Sequence, residues 1–126
     1  IYEDLGQPDQ ARASRLKGIE MAGQHLLVHP DDVRAMYMAA NGMAALGQTD
    51  QARQLAERAL ALRPDDAMLL YNVGCIFSML GDLKKALDAL EKAAAGGLRQ
   101  RGWYEHDNNL DPLRGEPRFK KLLKSL

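Results

Sequence analysis

Pro64-Asp65-Asp66-Ala67-Met68-Leu69-Leu70-Tyr71-Asn72-Val73-Gly74-Cys75-Ile76-Phe77-Ser78-Met79-Leu80-Gly81 carries one apolar helix pattern, and Asp82-Leu83-Lys84-Lys85-Ala86-Leu87-Asp88-Ala89-Leu90-Glu91-Lys92-Ala93-Ala94-Ala95-Gly96-Gly97-Leu98 carries a second. The first ends at Leu80-Gly81 and the second runs from Leu83 to Ala95, so the stretch reads as a helical hairpin. The segment before it, Pro30 to Arg63, has the same length and plan. Arg63-Pro64-Asp65-Asp66 repeats His29-Pro30-Asp31-Asp32 as stop and restart. Each proline disfavours helical geometry in the residue before it. Each aspartate pair then offers side-chain oxygens and negative charge to the free N–H groups of the next helix. In the earlier copy the pattern predicts helices at about Asp32–Leu46 and Asp50–Leu62, the first ended by Gly47 and the second capped by Thr49. In the later copy it predicts Asp66–Leu80 and Leu83–Ala95.

Upstream, Leu5-Gly6-Gln7-Pro8-Asp9-Gln10-Ala11-Arg12 matches Leu46-Gly47-Gln48-Thr49-Asp50-Gln51-Ala52-Arg53 at every place except Pro8 against Thr49. Ile1–Leu5 is therefore read as the end of a helix whose beginning is absent, closed by Gly6. A helix from Pro8 to about Val28 follows, with Leu16, Ile19, Met21, Ala22, Leu26 and Leu27 as its apolar stripe. The shared motif recurs 41 residues later, against 34 for the other copy. The extra residues add about two helical turns and nearly preserve the buried facing. Downstream, Leu98–Asn109 reads as polar and irregular. Asp111-Pro112-Leu113-Arg114 reads as a capped single turn, and Pro117–Ser125 as a last helix with Phe119, Leu122 and Leu123 on one face.

Composition narrows the function classes. Seventeen basic residues balance seventeen acidic ones, so no global field draws the chain to nucleic acid or an anionic membrane. No apolar run reaches membrane-spanning length. The lone Cys75 has no internal disulfide partner, which favours a reducing, cytoplasmic setting.

With Val33 and Ala67 as equivalent first positions, Leu70, Val73, Gly74 and Phe77 of the later copy stand at positions 4, 7, 8 and 11, and Ala86, Leu90 and Ala93 at 20, 24 and 27. The earlier copy gives Met36, Ala39, Ala40, Met43, Ala52, Ala56 and Ala59, with Pro64 at position 32. This register resembles the tetratricopeptide repeat. The resemblance covers about Tyr2 to Leu98. It implies an all-α, right-handed superhelix of antiparallel helix pairs with a capping helix. We read residues 1–126 as one such domain: a partial unit (1–29), two full units (31–64 and 65–98) and a cap (99–126). Mid-helix Gly74 costs about 1 kcal/mol relative to alanine; small residues at Gly74 and Ala86, and at Ala40 and Ala52, explain it by letting paired helices approach. Met36 and Leu70 depart from the usual tryptophan, and Leu98 from the final proline. The tail, with Trp103, Asp107, Leu110, Asp111-Pro112-Leu113-Arg114 and Pro117-Arg118-Phe119, resembles a segment that follows the last repeat in bacterial multidomain signalling proteins. Physically it is a cap: Leu110, Leu113, Phe119, Leu122 and Leu123 would cover the last repeat, leaving Arg118, Lys120, Lys121 and Lys124 in water.

In this family the first helix of each unit lines a concave groove. Position by position, the resemblance implies a peptide-binding face of Arg34, Tyr37, Met38 and Asn41 with Ala45, then Met68, Tyr71, Asn72, Cys75 and Met79 with Ser78. Such tyrosine, asparagine and methionine side chains supply aromatic area, amide hydrogen bonds and adaptable packing. The plainer alternative is that several touch only one another or a tail folded back. Tyr37, Met38 and Tyr71 stand where the family's carboxylate clamp needs other residues, so that specificity is rejected.

The remaining chemistry is thin. His25 and His29 have metal-ligand spacing, but no third ligand is evident, and surface histidines near a helix C-terminus are the simpler account. Glu105-His106-Asp107 lacks a nucleophile. The expectation is a non-enzymatic scaffold without cofactor or metal, holding a protein or peptide partner as part of a larger bacterial signalling protein. The alternative is a self-association module.

Overall fold

A computed structural model describes residues 8–126, so the readings made for Ile1–Leu5 and Gly6 lie outside the described residues. Among the described residues there is no strand. Seven α-helices follow one another: α1 (Pro8–Val28), α2 (Val33–Ala45), α3 (Thr49–Leu62), α4 (Ala67–Met79), α5 (Leu83–Ala95), α6 (Arg101–His106) and α7 (Pro117–Ser125), with a 3-10 helix at Asn108–Leu113. α2 pairs with α3 and α4 with α5, while α1 packs on α2 and α2 on α4. This is an all-α tetratricopeptide-type solenoid closed by helical turns.

The repeated corners form as their sequence dictates. Asp32 and Asp66 sit at equivalent N-caps, their side chains accepting from Ala35 N at 3.2 Å and Leu69 N at 3.1 Å. Gly47 and Gly81 end α2 and α4 with φ of 80° and 81°, a conformation that other residues adopt only at a cost. Asp82 caps α5 through Lys85 N. Thr49 does not cap α3. The cap position is Gln48, without a side-chain bond, and the Thr49 hydroxyl turns back to the Gly47 carbonyl.

The core is one cluster running from Met36 to Leu122, with Leu26 of α1 packed at its edge. Ala40, Ala52, Ala56, Ala59, Ala86 and Ala93 are fully buried, and these small side chains set the close helix spacing. At Gly74 a methyl group would stand 2.9 Å from the Leu90 side chain and 3.3 Å from the Ala86 carbonyl oxygen, which is the close approach expected there.

Four further readings are corrected. In α1 the buried side uses Ala11, with Ile19, Ala22 and Leu26 half-buried, whereas Leu16, Met21 and Leu27 of the predicted stripe flank it and are exposed, Leu27 at 85%. Among the described residues α1 packs chiefly on α2, so its contact is narrower than a two-sided stripe. Leu98–Asn109 is not irregular, because α6 lies within it. The turn near Asp111 is a 3-10 helix capped by Asp107, whose side chain accepts from Asn109 N, with Pro112 inside. In the tail, Leu110, Leu113, Phe119 and Leu122 are buried against the last repeat. Arg118 is not simply solvated: it donates to Glu91 Oε1 at 2.7 Å and Asp88 Oδ1 at 2.8 Å, tying α7 to α5.

Candidate functional site

The polar stripe of α4 runs Tyr71, Cys75, Ser78, spaced so that all three share a face. The tail lies on it. The Tyr71 hydroxyl stands 2.9 Å from Asp107 Oδ2 and 3.1 Å from the Trp103 carbonyl, sharing one hydrogen between two acceptors. The Cys75 thiol donates to the same Asp107 oxygen at 3.6 Å. The Ser78 hydroxyl donates to the Asn109 carbonyl at 2.7 Å. The Tyr71 ring meets Trp103 and Tyr104 edge-on, with centroids 5.6 and 5.2 Å away. Tyr104 is buried and donates to the Leu98 carbonyl at 2.6 Å, and Arg114 donates to the Tyr104 and Asp107 carbonyls.

Electrostatics follow from this closure. Burial first, then neighbouring Cys75 and Asp107, pushes the Tyr71 hydroxyl far above its ordinary pKa. Burial and then the Asp107 charge push the Cys75 thiol well up, leaving almost no thiolate at neutral pH. Burial raises Tyr104 to about 12. Cys75 is therefore a packed thiol rather than a nucleophile. Glu105 lies below the usual carboxylate range because Arg101 donates to it, and His106 is exposed beside it. Asp107 faces away into the α4 contact, so the three do not act as an acid–base set.

The other proposed groove residues divide in two. On α4, Met68 is exposed, and Asn72 bonds its own helix through the Met68 carbonyl. Asn41 on α2 reaches Met79 Sδ at 3.8 Å across the two units. Arg34 is exposed, Tyr37 is half-buried against the core, and Met38 is 56% exposed. Met38 and Asn41 do not meet the tail. With Ala35 and Gly42 they face Arg15, Ile19, Met21 and Ala22 of α1 across an open hollow of about 490 Å³. Sequence reasoning missed this α1 wall, and it missed Asp107 and Trp103 as partners of Tyr71. The wall has a faint signal in Gly42, where the absence of a side chain lets Ile19 of α1 approach α2 closely. The Asp107 pairing has none, since its partners lie 36 and 32 residues away.

At the α1–α2 corner, His25 Nε2 is 2.7 Å from Asp32 Oδ2. Among the described residues, no group of three or more His, Cys, Asp or Glu side chains is placed to hold a metal ion. No described helix is long and apolar enough to cross a membrane.

Comparison with protein families matches residues 33–74 to a tetratricopeptide repeat model and residues 68–95 to a second one. No curated protein matches the chain. The two matches together span residues 33–95, half of the 126-residue chain; the first covers α2, α3 and the first half of α4, and the second covers α4 and α5. The chain is a tetratricopeptide-repeat protein, built on repeats that serve as protein–protein interaction modules.

Proposed function

We propose that this chain is a non-enzymatic scaffold that holds a peptide segment of a partner in the α1–α2 hollow, with Met38 and Asn41 as its central contacts. The observation that carries the reading is the contrast between the two first helices, α4 and α2. Tyr71 and Cys75 are closed over by the tail, whereas Met38, beside Ile19 and Met21, stays open. Of the nine residues on the expected face, Arg34, Met38, Asn41 and Met68 are the ones a partner reaches, with Tyr37, Asn72 and Met79 at the margin. An apolar wall of methionine and isoleucine with one amide suits an amphipathic segment anchored by one apolar side chain.

The test is selection of short displayed peptides on the wild-type chain, followed by fluorescence anisotropy on variants. Met38→Glu and Asn41→Ala should weaken the selected peptides at least about tenfold, as loss of a central anchor does. Gln54→Glu, on the exposed side of α3, should leave binding unchanged. Peptides that bind Met38→Glu as tightly as wild type refute the site. The tail's likeness to segments of bacterial multidomain signalling proteins supports a cytoplasmic signalling role, with another domain of the same polypeptide as the natural occupant.

A second reading, self-association, is favoured by the bare apolar flank of α1, where Leu27 is 85% and Val28 is 73% exposed. Sedimentation equilibrium decides it: a monomer at high concentration, unchanged by Leu27→Glu, sinks the idea.

A further inference from the structure

We infer that Tyr71, Trp103, His106 and Asp107 form a binding site for a trimethylammonium group, the head of choline-type molecules and of trimethylated lysine. Trp103, His106 and Asp107 stand at helical spacing, so α6 and its cap present them on one side. The tail brings that side to Tyr71 of α4, and these residues with Gly102 line an open hollow of about 320 Å³. Trp103 stays 43% exposed, whereas Tyr104 beside it is fully buried. The exposed ring is held in place. It meets Tyr71 edge-on, and the Tyr71 hydroxyl is fixed by Asp107 and the Trp103 carbonyl. Nothing lies within 4 Å of a methyl group added at Gly102, so the approach to the ring is open on that side.

Asp107 supplies the charge. Its carboxylate accepts from the Tyr71 hydroxyl, the Cys75 thiol and the Asn109 N–H, all neutral donors. Among the described residues no cationic side chain is paired with it. Arg114 donates to the Tyr104 and Asp107 backbone carbonyls and makes its ion pair with Asp111. The carboxylate thus keeps its negative charge while three of its roughly four lone-pair positions are occupied. That combination selects among cations. A primary ammonium or a guanidinium brings several N–H donors that need acceptors, and the hollow has few left. A trimethylammonium group has no N–H. It needs aromatic rings and a nearby negative charge, which is how quaternary ammonium ligands are recognised.

One unit earlier the set is missing. Tyr37 and Asn41 stand where α4 has Tyr71 and Cys75, and no tail residue bonds to either. The site therefore belongs to the capped end of the array, and it does not depend on what the α1–α2 hollow holds.

Trp103 is the single tryptophan of the chain, so its fluorescence reports occupancy. The test is titration of the chain with choline chloride, and separately with N-acetyl trimethyl-lysine amide, at neutral pH and constant ionic strength. Both should give a saturable change at millimolar concentration, and the tighter of the two distinguishes a small molecule from a peptide side chain as the source. The neutral carbon isostere of choline, with a tert-butyl head, should bind at least about tenfold more weakly because it lacks the charge. Ethanolamine should also bind more weakly, because its N–H groups lose water without finding acceptors. In saturation-transfer NMR, Trp103→Leu should abolish choline binding and Asp107→Asn should weaken it about tenfold. Trp103→Leu keeps the backbone carbonyl that accepts from Tyr71, so its circular dichroism should match the wild type. A response that stays linear, equal binding of choline and its neutral isostere, or choline binding that survives in Trp103→Leu overturns the site.

Discussion

One chemical change, glycine to alanine, should have opposite signs in two helices of this protein. In α1, nothing lies within 4 Å of a methyl group added at Gly23. Gly23→Ala should therefore gain only the backbone term, about 0.5–1 kcal/mol. In α4, the same methyl group at Gly74 would meet two Leu90 side-chain carbons at 2.9 Å and the Ala86 carbonyl oxygen at 3.3 Å. Leu90 is fully buried, so it has no open space to move into, and the carbonyl belongs to the helix opposite. Overpacking of this kind costs roughly 1–3 kcal/mol. It outweighs the helix-propensity gain of about 1 kcal/mol, leaving a net loss of about 1 kcal/mol. Gly74→Leu, which adds three more carbons at the same contact, should lose more. Urea unfolding followed by circular dichroism reads the effect as a lower midpoint for Gly74→Ala and a higher one for Gly23→Ala, with about 4 °C of melting temperature per kcal/mol for a chain of this size. A raised midpoint in Gly74→Ala would mean that α4 and α5 do not approach as described, and the repeat register would fail with it.

Tyr71→Phe removes the hydroxyl shared by Asp107 and Trp103 and leaves Asp107 Oδ2 with the weaker thiol donor. A loss of about 1–3 kcal/mol follows for a bond to a charged group, with faster amide exchange at Leu110 and Leu113; unchanged exchange would sink the latch. Cys75, with its thiol pushed up by burial, should resist a thiol-specific disulfide reagent in the folded protein. It should label only as the tail opens, and faster in Tyr71→Phe; immediate stoichiometric labelling would contradict its closure. Asp88 lies below its ordinary value of 3.8, chiefly through the Arg118 hydrogen bond. A depressed carboxylate stabilises fully above the unfolded value and loses that contribution as pH falls through its lower folded value. Acidification below about pH 4 should thus loosen α7 in the wild type, and Arg118→Met should show a smaller fall over the same range. An equal fall in both proteins would remove the ion pair as the cause.

The helix pairs were legible because their signals are local. Asp32 and Asp66 precede apolar runs, Gly47 and Gly81 follow them, and each acts through backbone groups within a turn. Gly74 was legible because a glycine inside a strong helix needs a packing reason. Two features were not. The stripe of α1 was drawn too wide, since periodicity reports every apolar residue that could face a core. Leu16, Met21 and Leu27 are apolar, yet they stay exposed, while Ile19, Ala22 and Leu26 are half-buried where α1 packs on α2. The Tyr71–Asp107 contact was invisible for a different reason. It joins α4 to the single residue between α6 and the 3-10 helix, where no period links the two partners, and an aspartate read only in a polar stretch has many equally plausible roles.

The distribution of open and closed surface follows from how the array ends. At α2 the positions equivalent to Tyr71 and Cys75 are Tyr37 and Asn41, and Asn41 reaches Met79 on the next unit's first helix. At α4 no further unit is present to receive Tyr71, Cys75 and Ser78, and the tail supplies acceptors in its place: Asp107, the Trp103 carbonyl and the Asn109 carbonyl. Buried hydroxyl and thiol groups without partners would be costly, so a polar stripe on the last first-helix requires a polar cap rather than a greasy one. The cap thus explains both why Tyr71 and Cys75 look like a recognition surface in sequence and why they are occupied in the fold. Asn41 bridges to the capped unit on one side and lines the open hollow with Met38 on the other. The peptide-binding surface proposed above lies on this α1–α2 side, where Met38 and Asn41 border the open hollow beside the α1–α2 contact.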